Sequence, residues 1–341
     1  MTTYQVEQGI LTAASQQANA CQAAAELADA LQHEHLGFVL FFCSAEYDLA
    51  ALADALESSF PTTPLSGCTT AGEITPGGYD RGSIVAIGFD RRLFAIETAL
   101  IDDLEHFELA NAQPLVDTLL EQCRQQTIAP INEHSFALTL LDGLSSREEQ
   151  VLATLDAALG RIPSFGGSAG DDNHLSHTHV YTAGRFYTRA AVVVMINTRL
   201  PFEVFSTHHL IPLAHKLVVT EADREQRRGI ELNGLPAAQR VNSDSSLSFY
   251  CAVENGIVLT AMQPTPLLDN LSVMLAGVGA RLGAPSMIIG CDCFLRRMEL
   301  EALQQLDQAS QLLRQAGVVG FNTYGEQHHG MHVNQTFTGV A

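Results

Sequence analysis

The stretch PLSGCTTAGE, at residues 64–73, decides the fold, because it runs from an apolar strand into a glycine-bracketed loop that ends on an acid. Two other stretches repeat this arrangement: IPSFGGSAGD at 162–171 and VVGFNTYGE at 318–326. Each follows an amphipathic, helix-like stretch, and the first and third share the pattern G-x-x-T-x-G-E. The repeated helix, strand and loop are typical of an α/β protein.

The three loops are candidates for the walls of one or two ligand sites. Glycines at strand ends let the backbone turn sharply and approach a ligand closely. An α/β sheet binds small molecules at the carboxyl ends of its strands. The alternative is that the loops are ordinary connectors, and the sequence leaves both open. The loop residues that we expect near a ligand are Thr70, Glu73, Asp171, Tyr324 and Glu326.

Known enzyme and nucleotide motifs do not occur in the sequence. No lysine follows the glycines as in a phosphate-binding loop, and the dinucleotide pattern G-x-G-x-x-G before a helix is missing. The nucleophile pattern G-x-S-x-G and the zinc pattern H-E-x-x-H are missing too. We interpret Ser145 as the N-cap of a helix that begins near Ser146. We therefore expect a protein that is not an enzyme.

Composition narrows the partners of this chain. The 341 residues carry 38 acids and 18 Lys or Arg, a formal charge of −20, which disfavours nucleic acid and anionic membranes. The longest apolar runs are shorter than the roughly 20 residues of a membrane span, and no signal sequence is visible, so we expect a cytoplasmic protein. Seven scattered cysteines without a C-x-x-C pair predict free thiols and no structural zinc.

The order of the elements predicts an α/β fold. Apolar runs at 37–43 and 135–141 indicate buried strands, and the stretch 107–126 indicates a helix between them. In the second half, where α+β elements are expected, Asn255-Gly256 predicts a hairpin. Helices are predicted at 235–241 and 300–316.

The predicted architecture has two tightly packed domains, each a mixed sheet with flanking helices. The pattern changes after Gly170 from alternating strands and helices to successive short strands, and the boundary is expected near Thr198 to Pro201. The domains are therefore expected at 1–198 and 199–341.

The loop motifs also resemble a known family. GCTTAGE and the downstream GGSAGDD are similar to the N-terminal half of FIST proteins, a family of intracellular sensory domains. The segments NGLP at 233–236, CDCFLRR at 291–297 and GFNTYGE at 320–326 are similar to its C-terminal half. The resemblance spans nearly the whole chain. It implies a FIST N-terminal domain at 1–198, a FIST C-terminal domain at 199–341, and a sensor of a small molecule such as an amino acid.

Three C-terminal segments resemble the nitric-oxide-sensing branch of that family: CDCFLRR, TYGEQ and HVNQTFTG. This resemblance implies non-covalent haem b, detection of nitric oxide, and signalling in trans to a histidine kinase or a cyclic-di-GMP enzyme. A homo-oligomer stays open. The alternative is a FIST-type sensor of an amino acid or another small metabolite.

The resemblance also assigns roles to individual residues. Haem iron accepts an imidazole, and among thirteen histidines we expect His209 first and His332 second as its ligand. Arginine pairs with carboxylates, so Arg297 is expected to bind haem propionates or an amino-acid carboxylate, with Arg296 at the surface. Glu326 is a candidate to accept hydrogen bonds from a ligand amine or to cap a nearby loop, and the sequence leaves both open. Cys291 is a candidate for a soft ligand or redox reporter, although a buried free cysteine is more often inert.

Overall fold

The computed structural model describes residues 9–172, 174–224, 226–236 and 246–341. Three consecutive units of similar design make up this part of the chain. Unit one consists of β1 (Ile10–Ser15), α1 (Ala20–Leu31), β2 (Leu36–Ser44), α2 (Leu49–Ser59), β3 (Leu65–Thr70), β4 (Glu73–Thr75), β5 (Gly78–Asp80) and β6 (Ile84–Asp90).

Unit two repeats this order of elements: β7 (Phe94–Ile101), α3 (Leu109–Gln125), β8 (Ser135–Leu141), α4 (Glu148–Leu159), β9 (Ser164–Ser168), β10 (Val180–Thr182), β11 (Arg185–Tyr187) and β12 (Ala191–Thr198).

Unit three carries an additional sheet near its start. After β13 (Val204–His208) come five strands that we call the inserted sheet: β14 (Leu210–Asp223), β15 (Arg228–Leu232), β16 (Leu235–Pro236), β17 (Leu247–Ser248) and β18 (Val258–Pro264). The common order then resumes with α5 (Leu267–Leu282), β19 (Ile288–Cys293), α6 (Phe294–Ala302), α7 (Leu306–Gln315), β20 (Val318–Thr323), β21 (Glu326–His328), β22 (Met331–Val333) and β23 (Thr336–Val340).

Each unit lends one short hairpin to the sheet of another unit. The strand orders of the three six-stranded sheets are β1-β6-β2-β3-β10-β11, β22-β21-β9-β8-β12-β7 and β13-β23-β19-β20-β4-β5. Unit two therefore completes sheet one, unit three completes sheet two, and unit one completes sheet three. The exchange is cyclic and relates the units by an approximate threefold axis. Because every sheet needs strands from two units, the units pack as one body.

The strand pairing is mixed in all three sheets. The pairs β2–β3, β8–β9 and β19–β20 are parallel, and the remaining pairs are antiparallel. The three parallel strands β3, β9 and β20 end in the three glycine loops singled out in the sequence. Their carboxyl ends consequently face the same end of the molecule.

The core lies where the three sheets face one another. Phe42 of β2 stacks on Phe321 of β20 with ring centroids 4.4 Å apart, and Phe165 of β9 belongs to the same buried cluster. Helices cover the outer faces, with α1 and α2 on sheet one, α3 and α4 on sheet two, and α5 to α7 on sheet three. Strands buried on both faces explain the unbroken apolar runs of the sequence.

The fold class predicted from the sequence is confirmed, and the strand predicted at 135–141 has the bounds of β8. Other predictions were wrong. The stretch 300–316 holds two helices, because the chain breaks at Gln304, which has a positive φ of 56°. Helix α4 begins at Glu148, so Ser145 is not its N-cap; its hydroxyl oxygen accepts a hydrogen bond from the Arg147 amide at 3.1 Å.

Predictions for the inserted sheet also failed. Strand β18, which follows Asn255-Gly256, pairs with β14 and not with residues 249–253. The predicted helix at 235–241 begins on a strand, because Leu235–Pro236 pairs with β15, and its remainder lies outside the described residues. Among the helices described, none is both long and apolar enough to cross a membrane.

Candidate functional site

The three glycine loops meet at one end of the molecule. The amide of Ala71 donates to the Asn322 carbonyl at 2.9 Å, and the amide of Asn322 donates to the Gly72 carbonyl at 2.7 Å. The amide of Gly170 donates to the Thr69 carbonyl at 3.0 Å, which joins the second loop to the first. The carboxyl ends of β3, β9 and β20 therefore form one surface.

The centre of this surface is filled by protein. Ala71, Phe294 and Tyr324 form a buried apolar cluster there, with the rings of Phe294 and Tyr324 5.1 Å apart. A Cβ on Gly170 would lie 2.5 Å from the Ala71 amide nitrogen. At this position the glycine lets the backbones of two loops approach each other; it does not serve the approach of a ligand. The expectation that glycines mark ligand contacts is therefore wrong at Gly170.

Glu73 and Glu326 occupy equivalent positions in units one and three, and both are fully buried. Oε2 of Glu73 accepts from the amide and hydroxyl of Ser83 at 3.1 and 2.9 Å, while Oε2 of Glu326 accepts from the amide and hydroxyl of Thr336 at 3.1 and 2.8 Å. Each glutamate is the first residue of an exchanged hairpin, β4–β5 or β21–β22. Its carboxyl accepts from the segment that follows the hairpin, where the chain returns to its own unit. Burial raises the pKa of Glu73 to about 7 and that of Glu326 to about 8.

Thr70 and Asp171 are also bound within the protein. The Thr70 hydroxyl donates to Glu73. The Asp171 carboxylate accepts from the Tyr324 hydroxyl and from the amides of Leu175, Ser176 and His177 at 2.7 to 2.9 Å. Burial opposes its charge, but these hydrogen bonds lower the pKa of Asp171. These two side chains hold the loops in place.

Both adjacent arginines of α6 are buried, against the expectation that Arg296 is a surface charge. Nη1 of Arg297 donates to the Ala71 carbonyl at 2.7 Å and to Oδ1 of Asn322 at 3.3 Å. Nε of Arg296 donates to Asp292 at 2.8 Å. Arg297 thus joins the first and third loops, and its observed contacts are with protein.

Neither predicted haem ligand fits that role in this arrangement. Nδ1 of His209 accepts from Nη1 of Arg296 at 3.2 Å, and its Nε2 donates to Glu299 at 2.9 Å, so both ring nitrogens are used. Nδ1 of His332 donates to Glu149 at 3.1 Å. Its Nε2 has no hydrogen-bond partner among the described residues, but it lies 1.9 Å from where a Cβ of Gly325 would be. Arg296 and Glu299 thus contact both ring nitrogens of His209, and the backbone of Gly325 lies close to Nε2 of His332.

Cys291 and its neighbours give no better ligand set. Cys291 is completely buried in β19, and burial raises the pKa of its thiol well above the usual value. A protonated, enclosed thiol is a poor metal ligand and a slow nucleophile. Within the described ranges, no group of three or more His, Cys, Asp or Glu side chains is arranged to hold a metal ion.

A cleft of about 260 Å³ opens beside the three loops. One wall comes from the threefold body: residues 143–146 after β8, Glu148 at the start of α4, Leu175 and Tyr324. The opposite wall comes from the inserted sheet and consists of Gln226, Arg227, Phe249 and Tyr250. We call this space the Arg227 cleft. Of the residues predicted from the sequence, Tyr324 lines it.

Arg227 connects the two walls of the Arg227 cleft. Its Nη1 lies 3.1 Å from Oε2 of Glu148, and its Nη2 lies 3.0 Å from Oε2 of Glu149. Nη2 also donates to the Ser145 carbonyl at 3.2 Å. Its side chain is 16% exposed, so these ion pairs are largely shielded from water.

The acids below Arg227 have different pKa values. Burial raises the pKa of Glu148, although His332 and Arg227 oppose this shift, and Ser168 donates to its Oε1 at 2.5 Å. Burial also disfavours the charge of Glu149, but hydrogen bonds from His332 and the Ala252 amide lower its pKa to about 2. Burial acts against the protonation of His332, yet the two acids raise its pKa. Glu149 therefore stays ionised beside Arg227 and His332, while burial works against the charge of Glu148.

Sequence reasoning missed this cluster. None of Glu148, Glu149 and Arg227 was among the site residues predicted from the sequence. The available signal was weak: two adjacent acids after a strand, and an Arg-Arg pair at 227–228 in an acidic chain.

In a mixed α/β body, a cleft at the carboxyl ends of the strands is where a small ligand is expected to bind. The FIST N domain family matches residues 37–235, and the FIST C domain family matches residues 230–329. The chain belongs to the FIST family, and its two domains indicate a sensor of a small ligand. The two matches meet at 230–235, whereas unit three begins at Val204, so the division at 198/199 stays a prediction.

Comparison with other proteins adds little to the family assignment. A solved cyanuric acid hydrolase from A. caulinodans is 9% identical with a TM-score of 0.43, and the match covers 97% of this chain and 98% of that one. This similarity is too low to bear on the function of the present chain. No curated protein matches it.

Proposed function

We propose that this protein senses a small metabolite carrying both a cationic and an anionic group, such as an amino acid, in the Arg227 cleft. The observation that carries the proposal is the composition of its walls. One wall belongs to the threefold body and the other to the inserted sheet, so an occupant contacts both. A volume of about 260 Å³ suits a ligand smaller than the drug-sized molecules that occupy pockets of about 300 Å³ or more.

The charges of the cleft match such a ligand. The guanidinium of Arg227 can bind a carboxylate through two parallel hydrogen bonds, and the carboxylate of Glu148 can bind an ammonium group. In this structure the two groups contact each other at 3.1 Å, so each has a partner of opposite charge type. An entering zwitterion replaces that pair with two new ones. The rings of Phe249, Tyr250 and Tyr324 supply apolar area for the remainder of the ligand.

The same exchange provides a signal. Because Arg227 belongs to the inserted sheet and Glu148 to the body, a ligand between them changes how the two parts are held together. A ligand shifts the equilibrium between two relative arrangements of the inserted sheet and the body only by the difference in its affinity for them. The signal is then carried in trans to a separate protein, a histidine kinase or a cyclic-di-GMP enzyme being our candidates. Arg297, which the sequence favoured for the carboxylate, is bound to Ala71 instead.

Calorimetric titration with amino acids, simple amines and simple carboxylates tests the proposal. We expect one or a few zwitterions to bind and to stabilise the protein by about 2.7 kcal/mol at a hundred times the dissociation constant. Arg227→Gln should abolish binding. The matched control is Arg224→Gln, which changes a nearby arginine with a side chain 74% exposed and an ion pair to Glu254.

Thermal unfolding of both variants separates lost binding from lost folding. Arg227→Lys, which keeps the charge, should bind more weakly than the parent because an ammonium cannot form the two parallel hydrogen bonds. Binding that is equal in the parent and in a folded Arg227→Gln variant would exclude the Arg227 cleft as the ligand site. Binding of amines or carboxylates alone would exclude the zwitterion.

A haem-based sensor of nitric oxide is the second candidate function. Its support is the motif resemblance together with the Nε2 atom of His332, which has no hydrogen-bond partner among the described residues. The contacts of His209 and the enclosure of His332 make us rank it below the metabolite sensor. The absorption spectrum of protein produced with added haem decides the matter. A Soret band that moves on addition of nitric oxide, and disappears in His332→Ala, would overturn our ranking.

A further inference from the structure

Part of the inserted sheet stands away from the body as a two-stranded ribbon. Residues 210–218 of β14 pair with β18, from Leu210 opposite Pro264 to Val218 opposite Val258. Six consecutive side chains of β14, residues 211–216, are exposed. Successive side chains of a strand point to opposite faces, so both faces of the ribbon are open to solvent. A two-stranded ribbon is marginally stable by itself in water.

The exposed apolar side chains of the protein concentrate on the inserted sheet. Of the sixteen large hydrophobic side chains that are exposed among the described residues, nine lie between positions 210 and 264. A concentration of exposed apolar side chains on one sheet indicates an interaction site more strongly than single residues scattered over the surface do. The nine are Ile211, Leu213, Val218, Ile230, Leu235, Tyr250, Ile257, Val258 and Met262.

The ribbon is also free of acids, in a chain with a formal charge of −20. No Asp or Glu occurs at 208–220 or at 255–268, the two segments that contain its strands. Like charges repel when two copies of an acidic protein approach each other. The ribbon is consequently a place where two copies can meet with little repulsion.

The two edges of the ribbon differ in how they are protected. Strand β14 carries Pro212 and Lys216, and proline and lysine are the residues that natural proteins use to prevent pairing at a sheet edge. From Val258 to Met262, β18 carries neither a proline nor a charge. Strand β18 ends the strand order of the inserted sheet, so its outer edge has no strand partner among the described residues.

We propose that this protein forms a dimer in which β18 pairs antiparallel with β18 of a second copy. Two identical strands related by a twofold axis in this way are self-complementary. The pairing turns two marginal ribbons into one continuous four-stranded sheet and, with the twofold axis at Thr260, places Val258 of one copy opposite Met262 of the other. A second copy brings an equally acid-free ribbon, which a partner with an ordinary charged surface does not. The dimer is independent of the ligand proposed for the Arg227 cleft.

Analytical ultracentrifugation of the full chain tests the dimer. We expect a concentration-dependent dimer, and we expect Val258→Glu/Met262→Glu to raise its dissociation constant about tenfold or more, because four acids would then meet across the interface. Both side chains are exposed, at 54% and 42%, so the variant should fold. The control is Val273→Glu/Met298→Glu, which alters exposed residues of α5 and α6, at 72% and 42%.

Hydrogen exchange supplies a second measurement. Amides of β18 should become more protected as protein concentration rises in the parent and in the control, but not in the double glutamate variant. A monomer at every concentration up to about 1 mM overturns the proposal. So does a dimer whose affinity and β18 protection are unchanged by the two glutamates, because its interface would then lie elsewhere.

Discussion

Replacing Glu326 by glutamine should change how the stability of this protein depends on pH. The carboxyl is completely buried, Thr336 donates to only one of its oxygens, and Oε1 has no hydrogen-bond partner among the described residues. Burial raises its pKa from 4.5 to about 8. The folded protein therefore holds a proton on Glu326 in a pH range where the unfolded chain has released it.

The sign and size of the effect follow from this difference. Below pH 4.5 Glu326 is protonated in both the folded and the unfolded state, so it does not make the free energy of unfolding depend on pH. Between pH 4.5 and about 8 the folded state binds more protons, so the free energy of unfolding falls as pH rises. A shift of about 3.5 units at about 1.4 kcal/mol per unit amounts to about 5 kcal/mol over that window. Glu73, with a pKa of about 7, contributes in the same direction.

Urea unfolding followed by circular dichroism across this pH range is the assay. Glu326→Gln cannot ionise, so its free energy of unfolding should decrease less with pH than that of the parent, by up to about 5 kcal/mol. Glu133→Gln, at an exposed position, is the control and should run parallel to the parent. If the free energy of unfolding changes with pH by the same amount, within about 0.5 kcal/mol, in the parent and in Glu326→Gln, then burial does not hold Glu326 neutral and our account of it fails.

Two further substitution and labelling results are expected. Gly72→Ala should lower the free energy of unfolding by more than about 2 kcal/mol, because its Cβ would lie 1.6 Å from Nη1 of Arg297 at a φ of +136°. Gly82→Ala, whose Cβ would have no heavy atom within 4 Å, should lower it by about 1 kcal/mol. Equal losses of stability in the two variants would refute the tight contact at Gly72. A thiol reagent should label exposed Cys21 rapidly and buried Cys291 only after unfolding, and mass spectrometry measures both rates. Rapid labelling of Cys291 in the folded protein would contradict its burial.

The glycine loops show which features of the fold the sequence predicts and which it leaves undetermined. Their repetition predicted strand ends in an α/β protein, and the structure places all three at one end of the molecule. What the glycines do there was not predictable. A Cβ on Gly170 is excluded by the Ala71 amide and one on Gly72 by the Arg297 guanidinium, and both neighbours come from distant parts of the chain.

The inserted sheet was the hardest part to predict. Its strands lack the regular alternation of a half-buried sheet, because β14 is exposed on both faces over residues 211–216. Helix α5 was missed as well, since its sequence begins right after the β18 strand and contains Gly277 and Gly279, which lower helix propensity.

By itself, the sequence determined the fold class, the buried strands and the family, because apolar periodicity and the loop motifs are properties of short segments. Only the tertiary structure decided which charges meet. Arg227 reaches Glu148 across 79 positions, and Arg297 reaches the Ala71 carbonyl across 226. Such contacts depend on how the inserted sheet and the three units pack together, and no local pattern encodes the distance between two side chains that the fold brings together.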